Sequence, residues 1–216
     1  PGTAAGQEQA APTDGRTSPF FILLCLFVFT YLGIFTALNT NNAMFLAEKG
    51  LGSAALAGTG GGALMLGCML SGLLFNYVYR RLSHLCITAA FVLQAAGLLL
   101  IITVGFPAQY CVGMFLVGYG QGIVLPYCIA QVPFCTSPSM VAMGASLVSA
   151  MFSNLAAVSP LFFTNVGRLL FGPAVEGRLK LALICSVICI LVYTPFLEKR
   201  RRSQGKTEFR RSSKCM

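Results

Sequence analysis

The chain has 216 residues, of which 56% are hydrophobic and only 10% are charged, and its formal net charge is +9. A soluble domain carries about 25% charged residues, so this composition argues against a soluble globular protein. The positive charge does not indicate nucleic-acid binding, because eight basic residues are clustered in a C-terminal tail that lacks the interleaved aromatic residues of a stacking platform.

Residues 1–18 are rich in Ala, Gly, Pro and Thr, and they predict a flexible cytoplasmic linker. They lack the basic start and the apolar middle of a signal peptide. The chain does not begin with Met, and the linker leads directly into an apolar segment. This pattern predicts a fragment of a longer protein.

Residues 19–197 form the predicted transmembrane domain, which contains six apolar segments that are almost free of charge. Each segment is roughly 19 to 26 residues long, and a helix needs about 20 residues to cross the hydrocarbon core of a bilayer. The segments are 20–38, 54–79, 85–106, 110–130, 140–165 and 179–197. Because lipid cannot satisfy an open sheet, the sequence predicts an all-α membrane protein with one bundle of six transmembrane helices.

Lysine and arginine predict the orientation of this bundle. If the N-terminus is cytoplasmic, the cytoplasmic segments hold the eight basic residues of the tail, 198–216, together with Arg16, Arg80 and Arg81. The outside segments hold four basic residues: Lys49, Arg168, Arg178 and Lys180. Cytoplasmic segments of membrane proteins carry the excess of Lys and Arg. We therefore expect a multi-pass protein of the cell (inner) membrane with both termini in the cytoplasm.

A few neutral polar residues interrupt the apolar segments, and these are the candidate substrate-cavity residues. They are Tyr31 and Asn39 in the first span, Gln94 in the third, Gln121 in the fourth and Asn154 in the fifth. An amide in hydrocarbon must find a partner, so each either bonds to a neighbouring helix or lines a cavity and binds a solute. The cluster Asn39–Asn42 lies nearer the end of its span, where a cap at the mouth of the bundle is an equal alternative.

Catalytic groups are missing from the predicted spans. No Asp, Glu, Lys or Arg lies deep in a span, and the only histidine, His84, follows Arg80 and Arg81 in a loop. Haem binding, metal-dependent proteolysis and a proton relay each need several inward-facing titratable groups. The sequence therefore predicts no enzyme activity, no metal site and no cofactor.

The fourth predicted span combines glycine with proline. Gly118 and Gly122 precede Pro126. Proline removes a helix hydrogen bond, and the glycines loosen the turn before it. Bendable spans are typical of transporters, at places where the backbone faces a cavity. These residues form the candidate hinge.

The segment from Gly72 to Arg81 resembles a signature loop of the major facilitator superfamily, roughly G-x-L-x-D-R-x-G-R-R. Gly72, Leu74, Arg80 and Arg81 occupy matching positions. Asn76 stands where the family has an acid, so the charged latch of the family is replaced here by a residue that can only form hydrogen bonds. The resemblance implies that Gly72, Asn76, Arg80 and Arg81 form a conformational-switch loop between the second and third helices.

Two further segments resemble the drug-efflux-type members of this family. The series from Gly118 to Pro126 is similar to their tenth helix, and Val141–Ser149 is similar to the start of their eleventh. The resemblance covers nearly everything from Pro19 to Leu197 and matches the second half of these transporters. It implies the C-terminal six-helix half of a secondary active transporter, which moves a small organic solute by alternating access.

The resemblance also implies partners: the lipid bilayer, a small-molecule solute and a missing N-terminal six-helix half. No acid lies inside a predicted span, so proton coupling is expected from the other half. Two other interpretations stay open. In the first, the chain is a half-transporter that pairs with itself or with another half. In the second, it is a six-helix membrane scaffold or binding protein that transports nothing.

Overall fold

The structure is a computed structural model that describes residues 19–51, 54–82, 85–136 and 140–212. These residues fold into α-helices and the short connections between them. The helices are α1 (Pro19–Glu48), α2 (Ala54–Leu82), α3 (Cys86–Ile102), α4 (Pro107–Cys135), α5 (Val141–Phe171) and α6 (Val175–Ser212).

Three of these helices are long and apolar enough to cross a membrane, over Ile22–Glu48, Ala54–Leu82 and Pro107–Pro133. The apolar helix α3 has 17 residues. At 1.5 Å per residue α3 is about 26 Å long, slightly less than the 30 Å of a typical hydrocarbon core. The chain is therefore an all-α protein with three candidate membrane spans. That all six helices cross a membrane stays a prediction.

Helix α1 extends beyond the predicted span 20–38 and continues to Glu48. The cluster Asn39–Asn42 consequently lies within a helix and not in a loop at the mouth of the bundle. Asn41 shows how the helix tolerates these residues, because its Nδ2 donates to Ala37 O at 2.7 Å. A polar side chain that bonds to the preceding turn is satisfied without ending the helix.

The segment Gly72–Arg81, which the sequence predicted to lie at a loop, belongs to the last turns of α2. After Gly72 this segment contains no further Gly and no Pro, so nothing in it interrupts helical hydrogen bonding. The loop follows it and starts after Leu82. At the other end of the chain, α6 continues to Ser212 and includes most of the predicted basic tail.

Contacts between helices establish their relative directions. α2 and α4 run parallel, because Gly60 lies against the ring of Tyr110 near their starts and Tyr79 contacts Gln131 near their ends. Three other pairs are antiparallel, because the end of one helix contacts the start of the other. The pairs and their contacts are α3 and α4 (Gly97 with Gly113), α1 and α6 (Glu48 with Val175), and α5 and α6 (Gly167 with Arg178).

Tyr110 near the start of α4 bonds to Asn42 near the end of α1, so these two helices are also antiparallel. Consecutive helices therefore alternate in direction, and the bundle has two ends. The Asn42 end collects the C-terminal ends of α1, α3 and α5 with the first turns of α2, α4 and α6. The Arg81 end collects the opposite termini. This alternation is the arrangement that short connections between neighbouring antiparallel helices produce.

An aromatic cluster joins α1, α3 and α6 in the interior. The ring of Phe27 lies 4.2 Å from that of Tyr193 and 6.2 Å from that of Phe91, and the ring of Tyr31 lies 5.1 Å from that of Phe91. All three pairs meet edge to face, the arrangement that aromatic quadrupoles favour. The cluster holds α1 in the centre of the bundle.

Helix α2 packs mainly on α4 and leaves its opposite face open. Gly60, Leu64, Gly67 and Ser71 are buried against the bundle. Residues three, four or seven apart lie on the same side of a helix, and by this spacing the open face divides into two edges. The glycine edge consists of Gly58, Gly62, Met65, Met69, Gly72 and Asn76, and the leucine edge consists of Leu66, Leu70, Leu73, Tyr77 and Arg81, all of them exposed.

Candidate functional site

Tyr31 and Gln94, which the sequence singled out on separate spans, lie in contact with each other. Gln94 Nε2 donates to the backbone oxygen of Tyr31 at 3.2 Å, and both residues are completely buried. The bond joins α1 to α3 and gives the carboxamide of Gln94 one of the partners that a buried amide requires. It is an interhelical hydrogen bond, the first of the two roles expected for polar residues in these spans.

The hydroxyl of Tyr31 and the oxygen Oε1 of Gln94 have no hydrogen-bond partner among the described residues. The hydroxyl lies beside Gly120 of α4, where a Cβ atom would stand 2.6 Å from Tyr31 Oη and 2.9 Å from Ala90 O. Glycine at position 120 is thus what allows the tyrosine to reach α4. The junction of α1, α3 and α4 holds two unsatisfied polar atoms in an otherwise apolar interior.

The remaining cavity candidates lie elsewhere. Gln121 is half-buried, and its Oε1 is a buried atom with no partner in the described part of the chain. Asn39 is exposed on α1. Asn154 belongs to α5, but its side chain lies outside the described residues. The structure therefore brings Tyr31 and Gln94 together, leaves Gln121 half-buried and exposes Asn39.

The candidate hinge residues Gly118 and Gly122 lie where α4 packs closely against the backbone of α2. A Cβ atom at Gly118 would stand 2.0 Å from Leu64 O, and one at Gly122 would stand 2.4 Å from Cys68 O. α4 continues as one helix through Pro126. The glycines thus let the backbones of α2 and α4 touch, and the hinge role stays a prediction.

A polar network at the Asn42 end was not recognised as a whole from the sequence. Tyr110 of α4 donates a buried hydrogen bond to Asn42 Oδ1. Arg178 of α6 donates to Asn41 Oδ1 at 2.5 Å, and the Nε atom of this arginine is buried without a partner in the described part of the protein. Two adjacent asparagines of α1 therefore anchor the first turns of two other helices.

Carboxylates extend the same network at the ends of α1 and α6. Glu48 accepts from the backbone N–H of Val175 at 2.9 Å, which places a negative charge at the positive end of the α6 dipole. Glu176 pairs with Lys49 and Lys180, both at 2.8 Å. The hydrogen bond from Lys180, followed by that from Lys49, holds the pKa of the Glu176 carboxyl below its ordinary value of 4.5.

The residues of the predicted switch lie along the exposed side of α2. Gly72, Asn76, Arg80 and Arg81 are all exposed, and among the described residues no atom lies within 4 Å of a Cβ placed at Gly72. Arg81 Cζ lies 5.8 Å from the centroid of the Tyr77 ring. The end of α2 thus presents two positive charges and an aromatic ring to its surroundings.

The arrangement as a whole offers hydrogen bonding and positive charge. No group of three His, Cys, Asp or Glu side chains that could hold a metal ion occurs within 19–51, 54–82, 85–136 and 140–212. His84 lies outside these ranges. We find no arrangement in the described residues that places a nucleophile beside a base.

No protein-family model matches the chain, and no curated protein sequence matches it. The structure itself places the chain in a broad class: it is a helical protein with three candidate membrane spans, and these suggest a multi-pass membrane protein.

Proposed function

We propose that this chain is one six-helix half of a secondary active transporter, equivalent to the C-terminal half of a major facilitator protein. In this proposal α1 to α6 all cross the cell membrane, with both termini in the cytoplasm. A second six-helix half completes the carrier, and the two halves rock against each other around a small organic solute.

The observation that carries the proposal is the glycine edge of α2. At Gly58, Gly62 and Gly72 no atom of the described residues lies within 4 Å of an added Cβ atom. Each glycine costs a helix about 0.5–1 kcal/mol relative to alanine. Gly67 carries the same cost, but there the close packing of α4 offsets it. A Cβ atom added at Gly67 would stand only 2.3 Å from Phe115 O. A partner helix against the glycine edge offsets the cost in the same way.

The methionines of the glycine edge suit a contact that changes during transport. Met65 and Met69 are 60% and 56% exposed and lie between Gly62 and Gly72 along the helix. Methionine has three rotatable bonds and a polarizable sulfur, so it repacks readily against different surfaces. Small residues beside methionines therefore favour a face on which a second half slides.

The polar residues support a solute of organic, hydrogen-bonding character. We expect Asn39 to contact the solute because it is exposed, and Gln121 because its buried Oε1 has no partner among the described residues. We expect Tyr31 and Gln94 to support the wall behind them through their mutual hydrogen bond. No carboxylate occurs between Glu48 and Glu176, so proton coupling falls to the other half in this proposal.

A photo-crosslinking amino acid placed at Met65 tests the proposal in native membranes, with Leu66 as the matched control. The two residues are adjacent and equally exposed, at 60% and 55%, but point about 100° apart. We expect Met65 to capture a membrane protein or a further segment of the full-length protein, and Leu66 to capture lipid. A product of twice the chain's mass instead identifies a self-pairing half-transporter.

Capture of lipid alone at both positions overturns the proposal and favours a scaffold without a second half.

A second experiment measures transport by the purified chain in liposomes with an imposed pH gradient and a fluorescent organic cation. The isolated half should move no dye. Robust gradient-driven transport by this chain alone contradicts the assignment of coupling to a second half.

A further inference from the structure

The C-terminal end of α2 carries a positive charge that the described part of the protein does not neutralise. Arg80 and Arg81 occupy the last turn of the helix, and both are exposed. The salt bridges of the described residues are those of Glu176 with Lys49 and Lys180, at the opposite end of the bundle.

The sequence places no carboxylate in α2, α3, α4 or α5 that could neutralise these arginines. No Asp or Glu occurs between Glu48 and Glu176, a stretch that includes all of α2, α3, α4 and α5. Of the remaining carboxylates, Glu8 and Asp14 lie outside the described residues, and Glu198 and Glu208 lie in a segment with eight basic residues. The Arg81 end of the bundle is therefore strongly positive, and a negatively charged group from outside the chain complements it.

An apolar stripe leads directly to these charges. Leu66, Leu70, Leu73 and Tyr77 of the leucine edge are 55%, 39%, 74% and 63% exposed. They recur at spacings of four, three and four residues, and Arg81 follows four residues after Tyr77. One leaflet of a bilayer has a hydrocarbon depth of about 15 Å, or about ten residues of helix. The stripe is long enough to cover that depth.

Tyr77 marks the level at which the apolar stripe meets the charges. Its ring lies 5.8 Å from Arg81 Cζ, so the guanidinium stacks beside an aromatic face. Tyrosine is enriched where hydrocarbon meets lipid headgroups. The order along the helix is therefore apolar side chains, then an interfacial ring, then two cations, and a phospholipid has the same order from acyl chain to phosphate.

We propose that the leucine edge of α2 is a binding site for an anionic phospholipid. The acyl chains lie along Leu70 and Leu73, and the phosphate accepts hydrogen bonds from the guanidinium groups of Arg80 and Arg81. A guanidinium is suited to this role because its N–H groups match two phosphate oxygens at once. The site requires only that α2 crosses a bilayer, and it is separate from the glycine edge on which we place the second half.

Native mass spectrometry of the full chain, titrated with phosphatidylglycerol or with zwitterionic phosphatidylcholine, tests this site. We expect the wild type to bind phosphatidylglycerol about ten- to thirtyfold more tightly, the effect of two cations at a membrane surface. The double variant Arg80→Gln/Arg81→Gln should lose this preference. The tail variant Arg200→Gln/Arg201→Gln removes the same charge at the same end and should keep it.

Three results overturn the site: a wild type without the preference, a preference that survives in Arg80→Gln/Arg81→Gln, or one that disappears only in the tail variant. Displacement of the lipid by soluble glycerol phosphate at equal concentration also overturns it, because the acyl chains then contribute nothing.

A second measurement on the wild type alone does not depend on whether a variant folds. Phosphatidylglycerol with a photoreactive acyl chain is added to the reconstituted chain, and labelled peptides are mapped after irradiation. We expect labels within Leu66–Tyr77. Labels that avoid this peptide and fall on other helices contradict the proposal.

Discussion

The contact between α2 and α4 provides the sharpest test of the fold, through the substitution Gly118→Ala. The added Cβ would stand 2.0 Å from Leu64 O, whereas ordinary contact begins at 3.4 Å. The two helices must therefore separate locally by about 1.4 Å, because backbone atoms cannot rotate away as a side chain does. Overpacking of this kind costs about 1–3 kcal/mol, and we expect the upper part of that range.

The greater helix propensity of alanine offsets about 0.5–1 kcal/mol of this cost. The expected net loss is about 2 kcal/mol, which lowers the ratio of folded to unfolded protein by about 30-fold. The control is Gly62→Ala on α2, where no atom in the described part of the chain lies within 4 Å of the added group. This control should leave stability unchanged or raise it by up to about 1 kcal/mol.

Unfolding can be followed by thiol reactivity, because the chain has no Trp and the buried Cys86 and Cys128 are both 0% exposed. The chain in mixed micelles is titrated with SDS, and a maleimide dye reports the exposed thiols. Gly118→Ala should lower the SDS midpoint, and Gly62→Ala should not. Equal midpoints for both variants and the wild type would refute the close contact of α2 with α4.

Two further predictions concern the Asn42 end. Tyr110→Phe removes the hydrogen-bond donor to Asn42. We expect the free energy of unfolding to fall by about 1–2 kcal/mol in the same titration, because a buried amide oxygen then stays unpaired. A variant as stable as the wild type would argue against this bond. The lowered pKa of Glu176 means that its pairing with Lys49 and Lys180 stabilises the fold above the ordinary carboxyl pKa of 4.5 and is lost as the pH falls through the lowered value. The stability of the wild type relative to Glu176→Gln should thus be constant from pH 7 to 5 and decrease below about pH 4; a constant difference down to pH 3 contradicts the pairing.

The secondary structure follows closely from local composition. Each apolar segment predicted as a span corresponds to a helix, because a long uncharged run without strand-type alternation satisfies its backbone groups through hydrogen bonds between residues four apart. The ends of the helices were less predictable. α1 absorbs the Asn39–Asn42 cluster, since asparagine and threonine side chains bond to the preceding turn as readily as they cap a helix.

The pairing of polar residues was beyond sequence reasoning. Tyr31 and Gln94 were both singled out, but the bond between them joins residues that lie 63 positions apart. Arg178 and Asn41 are 137 positions apart. Helical spacing identifies which residues of one helix share a face, and it carries no information about which face of another helix comes opposite. A cluster of asparagines near the end of a long apolar run was the available signal.

The glycines illustrate the same division. The sequence alone determined that this is a helical protein rich in apolar segments and that Gly118 and Gly122 lie four residues apart within one of them. Only the tertiary structure decided that Gly67 and Gly118 are pressed against a neighbouring backbone, while Gly58 and Gly62 face outward. The reason is physical: helix formation depends on bonds between residues four apart, whereas helix packing depends on which surfaces fit together across the whole bundle.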